Sequence, residues 1–150
     1  MFKNLKGAHV TESNTEIYIF SDLPGAPWLK VHPGGELNKP YYQEMVEKST
    51  QGRKARRQLL QGKVDSKALE RNRNIDRKLY PRYIAAGEWG GWLDDETGAE
   101  VPYSVAAVTE LFEQLPSYLF DGLRAYCNEP ENFLEDEMPD EEDVEETVGN

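Results

Sequence analysis

The sequence contains a single cysteine and only two histidines in 150 residues. Cys127 has no partner for an internal disulfide, and a zinc site built on cysteines is excluded. His9 and His32 lie far apart in turn-prone segments, so the usual groups of nucleophilic or metal-assisted catalysis are largely missing. Cys127 ends an apolar helical pattern, which predicts a buried small hydrophobe. These absences favour a protein without catalytic activity, cofactor or metal.

Long apolar runs are also absent. No stretch approaches the roughly 18 apolar residues that a membrane span needs. The first six residues, MFKNLK, lack the apolar segment of a signal peptide. The sequence therefore predicts a cytoplasmic protein that does not contact a membrane.

Basic residues are scarce overall, with 17 Lys and Arg against 28 Asp and Glu, and a formal net charge of −11. The excess is confined to one end, because residues 129–150 hold 11 acids and no Lys or Arg. We expect a single domain over 1–134, with 1–14 loose, followed by a disordered acidic tail over 135–150.

A basic block occupies the middle of the chain. Between Lys48 and Arg82 there are 12 basic and three acidic residues, a net charge of +9. The acidic total disfavours a nucleic-acid partner, although this block leaves room for one basic face. The cluster Arg53–Arg57 is the densest part, and we hypothesise that the acidic tail folds back on it.

Local patterns predict a small N-terminal β-hairpin. Residues 16–20 and 28–32 are β-prone runs joined by a turn that contains Pro24, Gly25 and Pro27. Such a hairpin is marginal alone and must pack on another part of the chain.

Helical patterns follow the hairpin. Apolar residues in 39–60 recur with weak helical spacing. Asp65-Ser66 is a plausible N-cap for a second, more regular helix. Pro81 should kink or split this second helix, and Gly87–Gly91 should end it. Residues 94–98 predict an acidic turn and 99–103 a returning strand. Ser104 is predicted to cap a helix that a Pro-Ser junction at 116–117 separates from a second one. Asn132-Phe133 is expected to dock on the body. The fold class is α+β, mainly α-helical.

The order of features from Ile75 to Phe133 resembles a known family. A helix ends at Tyr83-Ile84-Ala85-Ala86, and Trp89–Trp92 and the acidic turn Asp94–Gly98 follow. Next come Val101-Pro102-Tyr103-Ser104, the two helices, and Glu131-Asn132-Phe133. This succession is similar to the tail assembly chaperones of long-tailed bacteriophages. The upstream hairpin and basic helix match by order alone.

The resemblance implies a late, non-virion protein in the cytoplasm of the infected bacterial host. Proteins of this family bind the tape measure protein and keep it soluble until tail tube subunits assemble around it. The tape measure or tail tube protein would be the partner, and a homo-oligomer is compatible with that role. Two other functions remain as alternatives. The first is an acidic inhibitor that mimics nucleic acid. The second is an enzyme whose acidic residues meet in space.

Two sets of residues are the candidate partner contacts. Tryptophan and other aromatic side chains provide large contact areas at low entropic cost, although packing at a strand is the favoured interpretation for at least one tryptophan. Basic side chains attract anionic partners, although a solvated helix face or pairing with acids is the favoured interpretation there. The candidates are Trp89, Trp92, Tyr103, Phe112, Tyr118 and Phe120, with Arg53, Arg56 and Arg57.

Overall fold

The computed structural model describes residues 2–5, 7–49, 57 and 66–134. Its strands and helices, in chain order, are β1 (Glu16–Ile19), β2 (Trp28–Val31), α1 (Lys39–Ser49), α2 (Ser66–Tyr83), β3 (Ala85–Gly90), α3 (Val105–Gln114) and α4 (Ser117–Cys127). Short 3-10 turns occur at Lys3–Leu5, Gly35–Leu37 and Pro130–Phe133. The fold is α+β and mainly helical, as predicted. The predicted acidic tail lies outside the described residues.

The strands form one antiparallel sheet in the order β1-β2-β3. The predicted hairpin is confirmed, with Tyr18 opposite Leu29 and Ile19 opposite Trp28. The third strand was not predicted, because its glycines were interpreted as the end of a helix. Gly90 lies opposite Trp28, and a Cβ there would sit 2.5 Å from the indole Nε1. The glycine is thus required by the close approach of the Trp28 ring.

Helix α2 is the central helix of the fold. It runs to Tyr83 with Pro81 inside it, so of the predicted kink or split at Pro81, the split is wrong. Pro81 removes the hydrogen bond that its N–H would donate to the Arg77 carbonyl, but Ile84 N–H still donates to the Tyr80 carbonyl at 3.0 Å, so the helix continues past the proline. Tyr80 and Leu79 are buried and hold this turn against the core.

The predicted pair of C-terminal helices is confirmed. Ser104 caps α3, and its Oγ accepts a hydrogen bond from Ala107 N–H at 3.0 Å. Leu115 and Pro116 then separate α3 from α4. The acidic turn is also confirmed, since Asp94 Oδ1 accepts from the N–H groups of Glu96 and Thr97.

The strand predicted at 99–103 is wrong. Only a single bridge between Leu93 and Glu100 forms there, and Val101 N–H donates to the Trp92 carbonyl at 2.7 Å. Backbone pairing with the 92–94 segment therefore stops too early to make a strand.

The core lies between the inner face of the sheet and α2, α3 and α4. Tyr80 is at its centre and meets the Phe112 and Phe120 rings edge-on at 6.0 and 5.2 Å. Phe133 is buried against Tyr126, which confirms that Asn132-Phe133 docks on the body. From the N-terminal segment, Val10 also reaches this core.

Candidate protein-binding surfaces

Trp89 and Trp92 both make hydrogen bonds within the fold. Trp89 Nε1–H donates to the Val101 carbonyl at 2.8 Å, and Trp92 Nε1–H donates to the Trp28 carbonyl at 3.0 Å. Trp89 also packs edge-on against Tyr103, with ring centroids 5.3 Å apart. These three side chains are half-buried. Because both indole N–H groups are already used, their main role in this structure is to hold the 91–103 segment on the sheet.

Two of the predicted contact residues are buried in this structure. Phe112 and Phe120 both have 0% exposure, because both rings pack against Tyr80 of α2 in the core. Their rings are 5.6 Å apart, and the Arg77 guanidinium lies over the Phe120 ring. Neither ring is accessible to a partner in this fold. Tyr118, in contrast, is 68% exposed at the start of α4.

The predicted basic cluster is only partly described. Arg57 is helical and exposed. Arg53 and Arg56 lie outside the described residues.

Two exposed isoleucines lie on the side of the sheet opposite the core. Strand alternation directs Tyr18, Leu29 and Val31 inward. It directs their neighbours outward, and these form what we call the outer sheet face: Ile17, Ile19, Trp28, Lys30 and Glu88. Ile17 and Ile19 are 48% and 54% exposed. An apolar sheet face is normally covered by another layer, so exposed isoleucines here indicate a contact surface.

The polar members of the outer sheet face lie beside the isoleucines. Lys30 is opposite Ile17, and its Nζ lies 3.7 Å from Glu88 Oε2. Trp28 is opposite Ile19, and its indole ring lies close to Gly90. The surface is therefore an apolar pair flanked by an indole and an ion pair, a composition typical of protein contact sites.

Strand β1 also has an open edge. Within the described chain it pairs only with β2. Phe20 N–H donates to the Pro27 carbonyl, so alternation turns the backbone groups of Ile17 and Ile19 away from β2. The Glu16 carboxylate accepts from Ile17 N–H at 3.1 Å. This charged side chain on the edge is the usual protection against edge-to-edge pairing.

The outer sheet face was missed at the sequence level, although a signal for it exists. Residues 17–20 are apolar at every position, Ile-Tyr-Ile-Phe. A half-buried strand of a small antiparallel sheet should alternate apolar and polar residues. The unbroken run therefore indicates that both faces of this strand are apolar.

Helix α2 uses three of its arginines inside the fold. Arg73 makes a paired contact with Asp121, with Nε and Nη2 at 2.9 and 2.7 Å from its carboxylate oxygens. Arg77 donates to the carbonyls of Phe112 and Leu115, both at 2.7 Å. Arg82 pairs with Glu44 at 3.0 Å. These contacts tie α2 to α1, α3 and α4.

The other basic residues of α2 point to solvent. Lys67, Arg71 and Lys78 are exposed, and none makes an ion pair within the described ranges. Together with Asn74 they follow one helix face, which we call the basic strip (Lys67, Arg71, Asn74, Lys78). A groove of about 480 Å³ runs along it and also includes Lys48 of α1 and Glu70.

A buried polar network joins α1, α2 and α4. Asp76 is 3% exposed, and its oxygens accept from Tyr41 Oη at 2.6 Å and Arg124 Nε at 2.7 Å. Burial raises the pKa of the Asp76 carboxyl, against the lowering effect of these two hydrogen bonds. Arg124 also contacts Asp121 at 3.1 Å. The carboxylate is buried and held by side chains of two other helices, so the network stabilises helix packing.

The single cysteine of the chain is buried in the core. Cys127 is 1% exposed, and burial raises the pKa of its thiol, which disfavours the reactive thiolate. No group of three metal-ligating side chains occurs among the residues described. Of the helices described, none has the length and apolar character to cross a membrane.

No family model, curated protein or solved structure matches this chain.

Proposed function

We propose that this chain is a tail assembly chaperone of a long-tailed bacteriophage, which binds the tape measure protein in the cytoplasm of the infected bacterium. On this proposal it binds amphipathic helices of its partner, keeps them from aggregating, and performs no chemistry. The order of motifs between Ile75 and Phe133 supports the family. The observation that carries the binding role is the outer sheet face.

The outer sheet face suits an amphipathic helix. Helices pack on sheets through an apolar stripe, and Ile17 and Ile19 provide matching apolar surface on a sheet that has its other face in the core. Trp28 extends this surface across β2. A docked helix would form a third layer, and the Lys30–Glu88 pair would meet its polar flank.

The contribution of Ile17 and Ile19 to the binding free energy should be large enough to measure. Full burial of an Ile side chain is worth ~1.5–3 kcal/mol, and each side chain here is about half exposed. Replacing both with threonine, which keeps β-branching and strand propensity, should cost about 2 kcal/mol of binding, on the order of 30-fold in Kd.

The test is co-expression with the tape measure protein of the genome that encodes this chain. We expect the wild-type chain to raise the soluble fraction of that protein and to co-purify with it. Ile17→Thr/Ile19→Thr should weaken the complex, whereas the control Leu69→Gln/Val105→Thr, at two exposed apolar positions outside the sheet, should not.

Two results would overturn the proposal. One is a genome without a tape measure gene, or a tape measure protein that stays insoluble beside the wild-type chain. The other is equal binding by the sheet variant and the control, which would remove the outer sheet face from the binding role.

A further inference from the structure

We propose that the acidic C-terminal segment, residues 135–150, docks on the basic strip of α2 in the same molecule. This goes beyond the proposed function and does not depend on it. It also moves the expected docking surface from the Arg53–Arg57 cluster to residues that the structure places on one helix face.

The basic strip is selected by what its neighbours on α2 do. Arg73, Arg77 and Arg82 are engaged by Asp121, by backbone carbonyls and by Glu44. Lys67, Arg71 and Lys78 have no such partner among the described residues. Three uncompensated charges on one face attract anions and repel one another, so a polyanion bound there relieves the repulsion.

The geometry of the strip fits an extended peptide. Positions 67, 71, 74 and 78 lie in a row, and 11 residues of helix span ~16 Å. Five or six residues of extended chain cover that length. Lys48 adds a fourth positive charge beside the groove, while Glu70 and Glu113 border it. The site is thus basic overall, with acids at its margins that limit how tightly it binds.

The occupant is chosen by charge and reach. Residues 135–150 include nine Asp or Glu and no basic residue. They begin directly after Leu134, which packs on the core. Sixteen extended residues reach ~50 Å, and the 134 residues before them, with a radius of gyration of ~14 Å, form a body ~36 Å across. The segment is therefore long enough to reach most of the surface, at a high effective concentration.

The experiment uses the full chain with a spin label near its end. Cys127 is buried, so a nitroxide attached to Val148→Cys labels the C-terminal segment alone. Paramagnetic broadening of backbone amide signals is then compared between α2 and the sheet. We expect the signals of residues 67–78 to lose several-fold more intensity than those of β1, and the difference to disappear in ~1 M salt, where charge interactions are screened beyond about 3 Å.

Charge reversal provides the control. Arg71→Glu/Lys78→Glu should abolish the broadening on α2. Lys3→Glu/Lys39→Glu makes the same change in net charge at two exposed lysines off the strip, and should leave it intact. Circular dichroism checks that both variants keep their helices.

Several outcomes would overturn the proposal. Broadening that is uniform, or that survives Arg71→Glu/Lys78→Glu, would show that the segment does not bind the strip. Broadening that requires mixing labelled with unlabelled molecules would place the segment on a second copy. Binding of a DNA duplex to the strip of the intact chain at physiological salt would assign it to nucleic acid instead.

Discussion

The two buried tyrosine hydroxyls in the core provide a matched test of how the fold is stabilised. Tyr41 Oη donates to Asp76 at 2.6 Å, inside the network that joins α1, α2 and α4. Tyr80 Oη is fully buried and has no hydrogen-bond partner among the described residues. The two rings touch edge-on, with centroids 5.8 Å apart, so they share one environment. Replacing each with phenylalanine removes the same atom with opposite expected results.

The expected change in the free energy of unfolding depends on the hydrogen-bond partner of each tyrosine hydroxyl. A hydrogen bond to a charged group contributes ~1.5–3 kcal/mol, so Tyr41→Phe should lower the free energy of unfolding by about 2 kcal/mol. A buried donor without a partner is itself unfavourable, so Tyr80→Phe should leave stability unchanged or raise it by up to ~1 kcal/mol. Urea unfolding measures both, and the first should lower the midpoint by ~1 M.

The pH dependence of stability provides a second test of the Tyr41–Asp76 hydrogen bond. The folded-state pKa of Asp76 is raised by burial, so ionising it costs folding free energy that is recovered as pH falls through that pKa. The Tyr41 hydrogen bond lowers this pKa, so the Tyr41→Phe variant pays a larger penalty when Asp76 is ionised. The difference between wild type and Tyr41→Phe should therefore shrink from pH 7 toward pH 4.

The reasoning is refuted if Tyr80→Phe destabilises the protein as much as Tyr41→Phe. A loss at Tyr41 that is independent of pH would also contradict it, because the hydroxyl would then not be acting on the Asp76 carboxylate.

Three further predictions follow from other parts of the structure. Gly90→Ala should destabilise the protein by ~1–3 kcal/mol in urea unfolding, because the new methyl group would meet the Trp28 ring; a neutral result would mean that the ring moves aside freely. Cys127 should react with a thiol reagent only at the rate of unfolding, and rapid labelling of the native protein would contradict its burial. The pKa of Asp121 is lowered first by Arg73, so this pair stabilises the fold above the ordinary carboxyl pKa of 3.8 and is lost as pH falls below it. Asp121→Asn should accordingly flatten the acid side of the stability profile, and an unchanged profile would contradict the assignment.

Features with local physical causes could be predicted from the sequence. The Ser104 cap, the Pro116 junction and the periodic apolar positions of α3 and α4 all act within a few residues, and each is found in the structure. The hairpin follows from β-branched and aromatic runs around a Pro-Gly turn. In these cases the local preference and the final packing agree.

Features that depend on distant contacts could not be predicted. Gly90 favours neither strand nor helix alone, and its place in β3 depends on Trp28, far away in the chain. Asp76 and Arg124 are 48 positions apart, so their pairing is invisible in the sequence. The sequence predicts Phe112 and Phe120 as contact residues, because a phenylalanine that packs in the core cannot be distinguished in the sequence from one on a binding surface. Only the packing of both helices around Tyr80 of α2 determines that both rings are buried.

The basic residues of α2 show how far charge counting can mislead about binding. The sequence alone does not distinguish among the Lys and Arg residues of α2. In the structure, Arg73, Arg77 and Arg82 make contacts that join α2 to other helices. Replacing Arg73 or Arg77 would weaken a partner complex by loosening the fold, whereas replacing Arg71 or Lys78 changes only the surface charge. The outer sheet face and the basic strip share no residue and lie on different elements. Variants in one therefore leave the other unchanged, so the failure of either proposal is distinguishable from the failure of the other.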